Sequence, residues 1–151
     1  MKKVMVFGTF DILHPGHINF FKQAKKFGDF LIVVIARDST IAKVKKEKPI
    51  NSQYKRMSLV KDSGLAEKVV LGGVVDKYAI IAKEKPDVIA LGYDQSSFTK
   101  NLKKLINYKT NIVRLDSYKP EKFKSSKLKQ SKYAKNIDCN NKYRQIQGNS
   151  Y

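Results

Sequence analysis

Gly8-Thr9-Phe10-Asp11-Ile12-Leu13-His14-Pro15-Gly16-His17 is the stretch around which the chain is organised. A short apolar strand, Val4–Phe7, runs into it. A 3.6-residue pattern leaves it, with Ile18, Phe20, Phe21, Ala24 and Phe27 near one face, so a helix is expected from about Gly16 to Phe27. Both histidines of the chain therefore fall at one strand-to-helix turn, three residues apart. Backbone N–H groups at a helix start lack intrahelical partners, and the helix dipole there favours an anion. Two imidazoles beside such donors read as a phosphate site. Pro15 suits the first helical position, and Gly16 would let a ligand approach the backbone. The plainer alternative makes His14 a turn residue and His17 a helix cap. The concentration of both histidines at one junction favours the phosphate reading.

Working outward, Phe30–Ala36 is a continuous apolar strand, as expected in a parallel sheet covered on both faces. Arg37 and Asp38 follow at its end, then a basic loop over Lys43–Lys48 that includes Lys45. Asn51-Ser52 opens a helix carrying Tyr54, Arg56, Leu59 and Val60. Lys68–Leu71 is a third strand, Asp76–Lys85 a helix and Val88–Leu91 a fourth strand. Gly92-Tyr93-Asp94-Gln95 ends that strand. Ser97–Tyr108 reads as a helix and Asn111–Leu115 as a fifth strand. This β-α alternation predicts one doubly wound, five-stranded parallel sheet of the α/β class. Its carboxyl edge would gather four pieces: the His14/His17 turn, Arg37-Asp38 with the lysine loop, the segment holding Asp94, and Tyr118–Lys127.

The length of 151 residues suits one domain, expected over 1–135, with a last helix capped at Ser125-Ser126. Residues 136–151 lack periodicity and are expected as a weakly held polar tail. No apolar run approaches the roughly 20 residues that span a bilayer, and the N-terminus lacks a signal-peptide pattern, so a cytoplasmic location is expected. The single cysteine, Cys139, excludes an intrachain disulfide and a cysteine metal cluster. Two histidines without a third ligand make a poor zinc site, and no protein metal site is expected. The net charge is +18, of which +11 lies in residues 1–116 and +7 in 117–151. That spread, without one basic stripe, argues against nucleic acid as the main partner. The Walker phosphate loop, the dinucleotide-binding glycine fingerprint and the hydrolase nucleophile elbow are absent. What remains suits phosphoryl-type transfer without a covalent enzyme intermediate. A phosphate monoester is already an anionic nucleophile, so the protein needs mainly to align groups and neutralise charge. On residue type and position alone, Arg56 is either a surface charge or a phosphate ligand, and Asp38 either a helix cap or a ligand.

Gly8-Thr9-Phe10-Asp11 with His14-Pro15-Gly16-His17 resembles the cytidylyltransferase-like nucleotidyltransferases. Val34–Thr40, Lys48-Pro49-Ile50, Lys85–Gln95 and Ile112–Leu115 resemble, more narrowly, the archaeal FAD synthases, which adenylylate FMN. The likeness covers roughly residues 1–118. It implies a Rossmann-like sheet of order 3-2-1-4-5 and transfer of AMP from ATP to FMN, giving FAD and pyrophosphate. It implies catalysis by His14 and His17, with Thr9, Phe10, His14, Pro15, Gly16, His17, Asp94 and Tyr118 at the nucleotide. Ser125-Ser126-Lys127 is similar to a degraded form of the superfamily's triphosphate-binding signature. Asp11, Arg37, Asp38, Lys45 and Arg56 are the candidates for binding acceptor or phosphate. A divalent cation (magnesium, cobalt or manganese) accompanies the nucleotide, and a homodimer is common among such proteins. The alternatives are a cytidylyltransferase joining CTP to glycerol-3-phosphate or a related phosphoalcohol, a sugar-phosphate adenylyltransferase, and a non-enzymatic nucleic-acid-binding protein.

Overall fold

The fold follows from strands that are apolar on both faces. In the computed structural model, which describes residues 1–45, 48–73, 78–92 and 110–116, five strands form one parallel sheet. They are β1 (Lys3–Gly8), β2 (Phe30–Ile35), β3 (Lys68–Leu71), β4 (Val88–Leu91) and β5 (Asn111–Arg114), in the order β3-β2-β1-β4-β5. β1 lies against β2 over its full length, from Lys3 opposite Phe30 to Gly8 opposite Ile35. This is the order implied by the family resemblance.

Alternation along the strands divides the core in two. Val4, Val6, Leu31, Val33 and Ile35 join Ile18, Phe21 and Ala24 of α1 (Pro15–Lys25) and Leu59 and Val60 of α3 (Gln53–Asp62). Met5, Phe7, Ile32, Val34 and Ile89 join Ile81 of α4 (Ala79–Glu84). Helices thus cover both faces, which is why β2 needs no polar residue between Leu31 and Ile35. Each such side chain, fully buried, contributes about 1.5–3 kcal/mol.

Three expectations are revised. The basic stretch beginning at Lys43 is not simply a loop, because α2 spans Asp38–Lys45. Its first turn starts where the Ile41 N–H donates to the Arg37 carbonyl at 3.0 Å, and Ile41 is buried. The lysines obscured this short amphipathic turn. Second, α1 ends at Lys25, short of the expected Phe27, and the Gly28 that follows is not in the left-handed region. It is there because a Cβ would come within 2.6 Å of the Lys2 carbonyl, which accepts the Asp29 and Phe30 N–H groups. Third, α4 ends at Glu84, where Lys85 turns left-handed (φ 49°) before Pro86. The helix expected over 97–108 and everything after 116 lie outside the described residues.

Candidate active site

The turn leaving β1 is built on a backbone conformation that side chains rarely adopt. Phe10 has φ of 50°, which costs roughly 1–3 kcal/mol. Burial of its ring offsets that cost. The ring is 5% exposed, packs on Phe21 at 5.1 Å between centroids, and meets His17 edge-on at 5.2 Å. It also folds back over Gly8, where a Cβ would sit 2.6 Å from the ring tip. Gly8 and Phe10 are therefore one device: the glycine leaves the space that the strained phenylalanine fills.

His14 ends the turn as the N-cap of α1, in extended conformation (φ −141°, ψ 170°). The Gly16 N–H donates to its Nδ1 at 3.1 Å. Its carbonyl accepts from the N–H of His17 at 2.9 Å and of Ile18 at 3.3 Å. The structure thus revises the expected source of donors. Pro15 has no N–H, and those of Gly16, His17 and Ile18 are already engaged with His14. The cap is His14, not His17.

This arrangement defines the chemistry of His14. Burial holds its pKa down to about 4, so the ring is neutral at pH 7. With Nδ1 accepting, its single proton resides on Nε2. The turn therefore provides a neutral imidazole N–H donor, preoriented by its own helix cap. The rings of His14 and His17 stack at 3.8 Å with an interplanar angle of 21°.

The other candidates fall into two groups. Asp11, 1% exposed, accepts the Ile50 and Asn51 N–H groups at 2.8 Å each. Arg56, expected as a surface charge or a phosphate ligand, is fully buried. It donates to the carbonyls of Thr9 (2.9 Å), Ala36 (2.7 Å) and Asn51 (3.1 Å) and to Asp38 Oδ1 (2.6 Å). Asp38 and Gln53 bond reciprocally, each backbone N–H donating to the other's side-chain oxygen. Asp38 thus ties α2 to the start of α3. These three side chains stitch the site together from beneath. Arg37 remains half-exposed at the carboxyl edge, its Nε donating to the Gly72 carbonyl at 2.7 Å. Lys45 closes α2. Asp94, Tyr118, Ser125 and Ser126 lie outside the described residues.

One member of this network was missed from the sequence. The sequence places Asn51 only at a helix opening, yet its side-chain amide donates to the Asp11 carbonyl at 2.5 Å. Among the described residues, no group of three or more His, Cys, Asp or Glu is placed to hold a metal ion. Among them too, no helix is long and apolar enough to cross a membrane.

The chain that carries this turn is matched over residues 5–132 by a family model described as cytidylyltransferase-like. The chain belongs to the cytidylyltransferase-like family. It is a nucleotidyltransferase. Within that family it is 41% identical over 118 residues to the FAD synthase of Methanosarcina barkeri (strain Fusaro / DSM 804), covering 76% of this chain and 84% of the other. The FAD synthase of Thermococcus sibiricus (strain DSM 12597 / MM 739) is 40% identical over 132 residues, covering 83% and 88%. The crystal structure of the lipopolysaccharide core biosynthesis protein from Thermoplasma volcanium GSS1 superposes with a TM-score of 0.71. It is 39% identical, over 78% of this chain and 98% of that one.

Proposed function

We propose that this cytidylyltransferase-like protein is an FAD synthase acting as an FMN adenylyltransferase. An oxygen of the FMN phosphate attacks the α-phosphorus of ATP. The bond from that phosphorus to the oxygen bridging to the β-phosphorus breaks, and FAD and pyrophosphate result. The observation that carries this reading is identity of about 40% to FAD synthases over most of both chains, together with a neutral, preoriented donor at the turn. The incoming phosphate is already an anion, so no side-chain nucleophile is required. Catalysis then lies in alignment and in donors aimed at the charge that grows on the transferring phosphate.

In this reading the His14 Nε2–H donates to a phosphate oxygen, and its helix cap means that little reorganisation accompanies the reaction. His17, stacked on it, shares the role. Thr9 and Phe10 shape the turn with Pro15 and Gly16. Arg37 and Lys45 are the cations for the acceptor phosphate. Asp94 and Tyr118 position the nucleotide, and Ser125 and Ser126 hold its triphosphate. The divalent cation (magnesium, cobalt or manganese) enters with ATP as part of the substrate. We place the catalytic domain at residues 1–135, with a polar tail after it, in a cytoplasmic protein that forms a homodimer.

The test is an activity matrix. ATP or CTP is offered against FMN, glycerol-3-phosphate and a sugar phosphate, with each of the three metals. Pyrophosphate release and product chromatography are followed. FAD from ATP and FMN is the expected product. A CDP-alcohol or an ADP-sugar as the main product overturns the acceptor assignment. Salt-sensitive binding of RNA or DNA without turnover of any pair overturns the enzymatic reading.

A further inference from the structure

The buried guanidinium of Arg56 joins three chain segments that lie apart in sequence. Thr9 follows β1, Ala36 follows β2 and Asn51 precedes α3. Each gives its carbonyl to Arg56, and Asp38 Oδ1 supplies the balancing charge. Four of the five guanidinium N–H groups are thus engaged. A buried charge is tolerated on these terms, because an incompletely paired one costs several kcal/mol. The planar fork also fixes the separation of the carbonyls it holds, which a lysine could not do.

Asn51 closes the circuit. Its carbonyl accepts from Arg56 Nε, its backbone N–H donates to Asp11 Oδ1 and its side-chain amide donates to the Asp11 carbonyl. The tripeptide Thr9-Phe10-Asp11 is therefore gripped at both ends, by Arg56 at Thr9 and by Asn51 at Asp11. Between the two grips sits Phe10, the residue in the left-handed region. Strain of that kind persists where surrounding bonds over-determine it. Three residues beyond Asp11 is His14.

We propose that Asn51 and Arg56 are positioning residues that fix the His14/His17 turn for AMP transfer, without contacting substrate. This rests on the adenylyltransferase reading. The grips act on the segment that aims the imidazoles, so their loss lowers turnover more than it weakens substrate capture. A misplacement near 1 Å is enough to cost on the order of 100-fold in rate.

The variants are Asn51→Ala and Arg56→Lys in the full chain. Asn51→Ala removes only the side-chain bond and leaves both backbone bonds of that half-exposed residue in place. Arg56→Lys keeps the charge and loses the fork. Three measurements are made on each: kcat and KM for ATP and FMN, thermal melting, and amide hydrogen exchange over residues 9–18 compared with β2. For Asn51→Ala we expect kcat to fall about 10-fold, with both KM values within about 2-fold. Exchange should quicken over 9–18 and stay unchanged in β2. Arg56→Lys should lose about 100-fold. Should Arg56→Lys fail to fold, Asn51→Ala decides. Wild-type kcat and unchanged exchange in folded Asn51→Ala overturn the proposal. So does a rise in the KM for FMN at constant kcat, which would make these residues acceptor ligands. If the wild-type protein makes no FAD, the adenylyltransferase reading fails separately, and exchange over 9–18 still decides whether Asn51 and Arg56 hold the turn.

Discussion

Of the helices that start at the carboxyl edge of the sheet, α1 and α3 are capped by different chemistry. At α3 the Ser52 hydroxyl accepts the Lys55 N–H at 3.2 Å, an ordinary cap. At α1 the cap is the His14 imidazole, which accepts the Gly16 N–H through Nδ1. A serine cap satisfies a backbone donor and does nothing more. A histidine cap satisfies the same kind of donor and is left with a second nitrogen whose protonation is thereby decided. The difference teaches how a helix start becomes a reactive group: local structure selects the tautomer, and burial keeps the ring neutral.

The largest effect that can break this comparison comes from His14→Asn. Asparagine is among the best N-cap residues, so the helix start survives while the Nε2 donor disappears. We expect turnover to fall about 100- to 1,000-fold, the usual cost of removing one preorganised donor, with stability within about 1 kcal/mol of wild type at pH 7. Steady-state kinetics alongside urea unfolding separate the two. Near-wild-type turnover would reduce His14 to a cap like Ser52.

The next effect is on stability as a function of pH. The folded protein holds His14 near a pKa of 4, against an ordinary value of 6.5. Between those values the unfolded chain takes up a proton that the folded chain refuses. The cost of holding the ring neutral is therefore absent above pH 6.5 and grows as pH falls toward 4. It amounts to about 3 kcal/mol in all. Unfolding free energies measured from pH 7 to pH 4 should fall more steeply for wild type than for His14→Asn. Parallel curves would mean that His14 is not held neutral.

Much of the fold was legible in the sequence, as was the turn on which the candidate site is built. The run Phe30–Ala36 announces a strand buried on both faces, because burial on both faces leaves no room for alternation. The order of the strands is not written in any periodicity; it came from the likeness of Gly8–Asp11 and His14–His17 to a family. Arg56 is buried and not on the surface, and its position carries a signal for that. It shares the 3.6-residue stripe of Leu59 and Val60 on α3, so it faces inward, and an arginine facing inward must find carbonyls or a carboxylate. Asn51 left no such signal. Its role depends on Asp11, 40 positions away, and contacts of that range are made by tertiary packing, not by local pattern. The identity of the α1 cap was hidden for a related reason, since only the extended conformation of His14 turns Nδ1 onto the Gly16 N–H.

The smallest expected effect lies at the other cap. Ser52→Ala removes the hydroxyl that accepts the Lys55 N–H, a change that costs about 1 kcal/mol at a typical N-cap. At α3 the first turn is also held from outside the helix. Gln53 exchanges two bonds with Asp38, and Asn51 is fastened to Asp11. With the backbone pinned on either side, fraying after loss of the hydroxyl is limited, and the cost should stay near 0.5–1 kcal/mol. Turnover should remain that of wild type. A cost near 2 kcal/mol, the upper end for such caps, would mean that the outside bonds do not hold the turn. A clear fall in kcat would mean that the start of α3 is coupled to His14 more tightly than two separate caps allow.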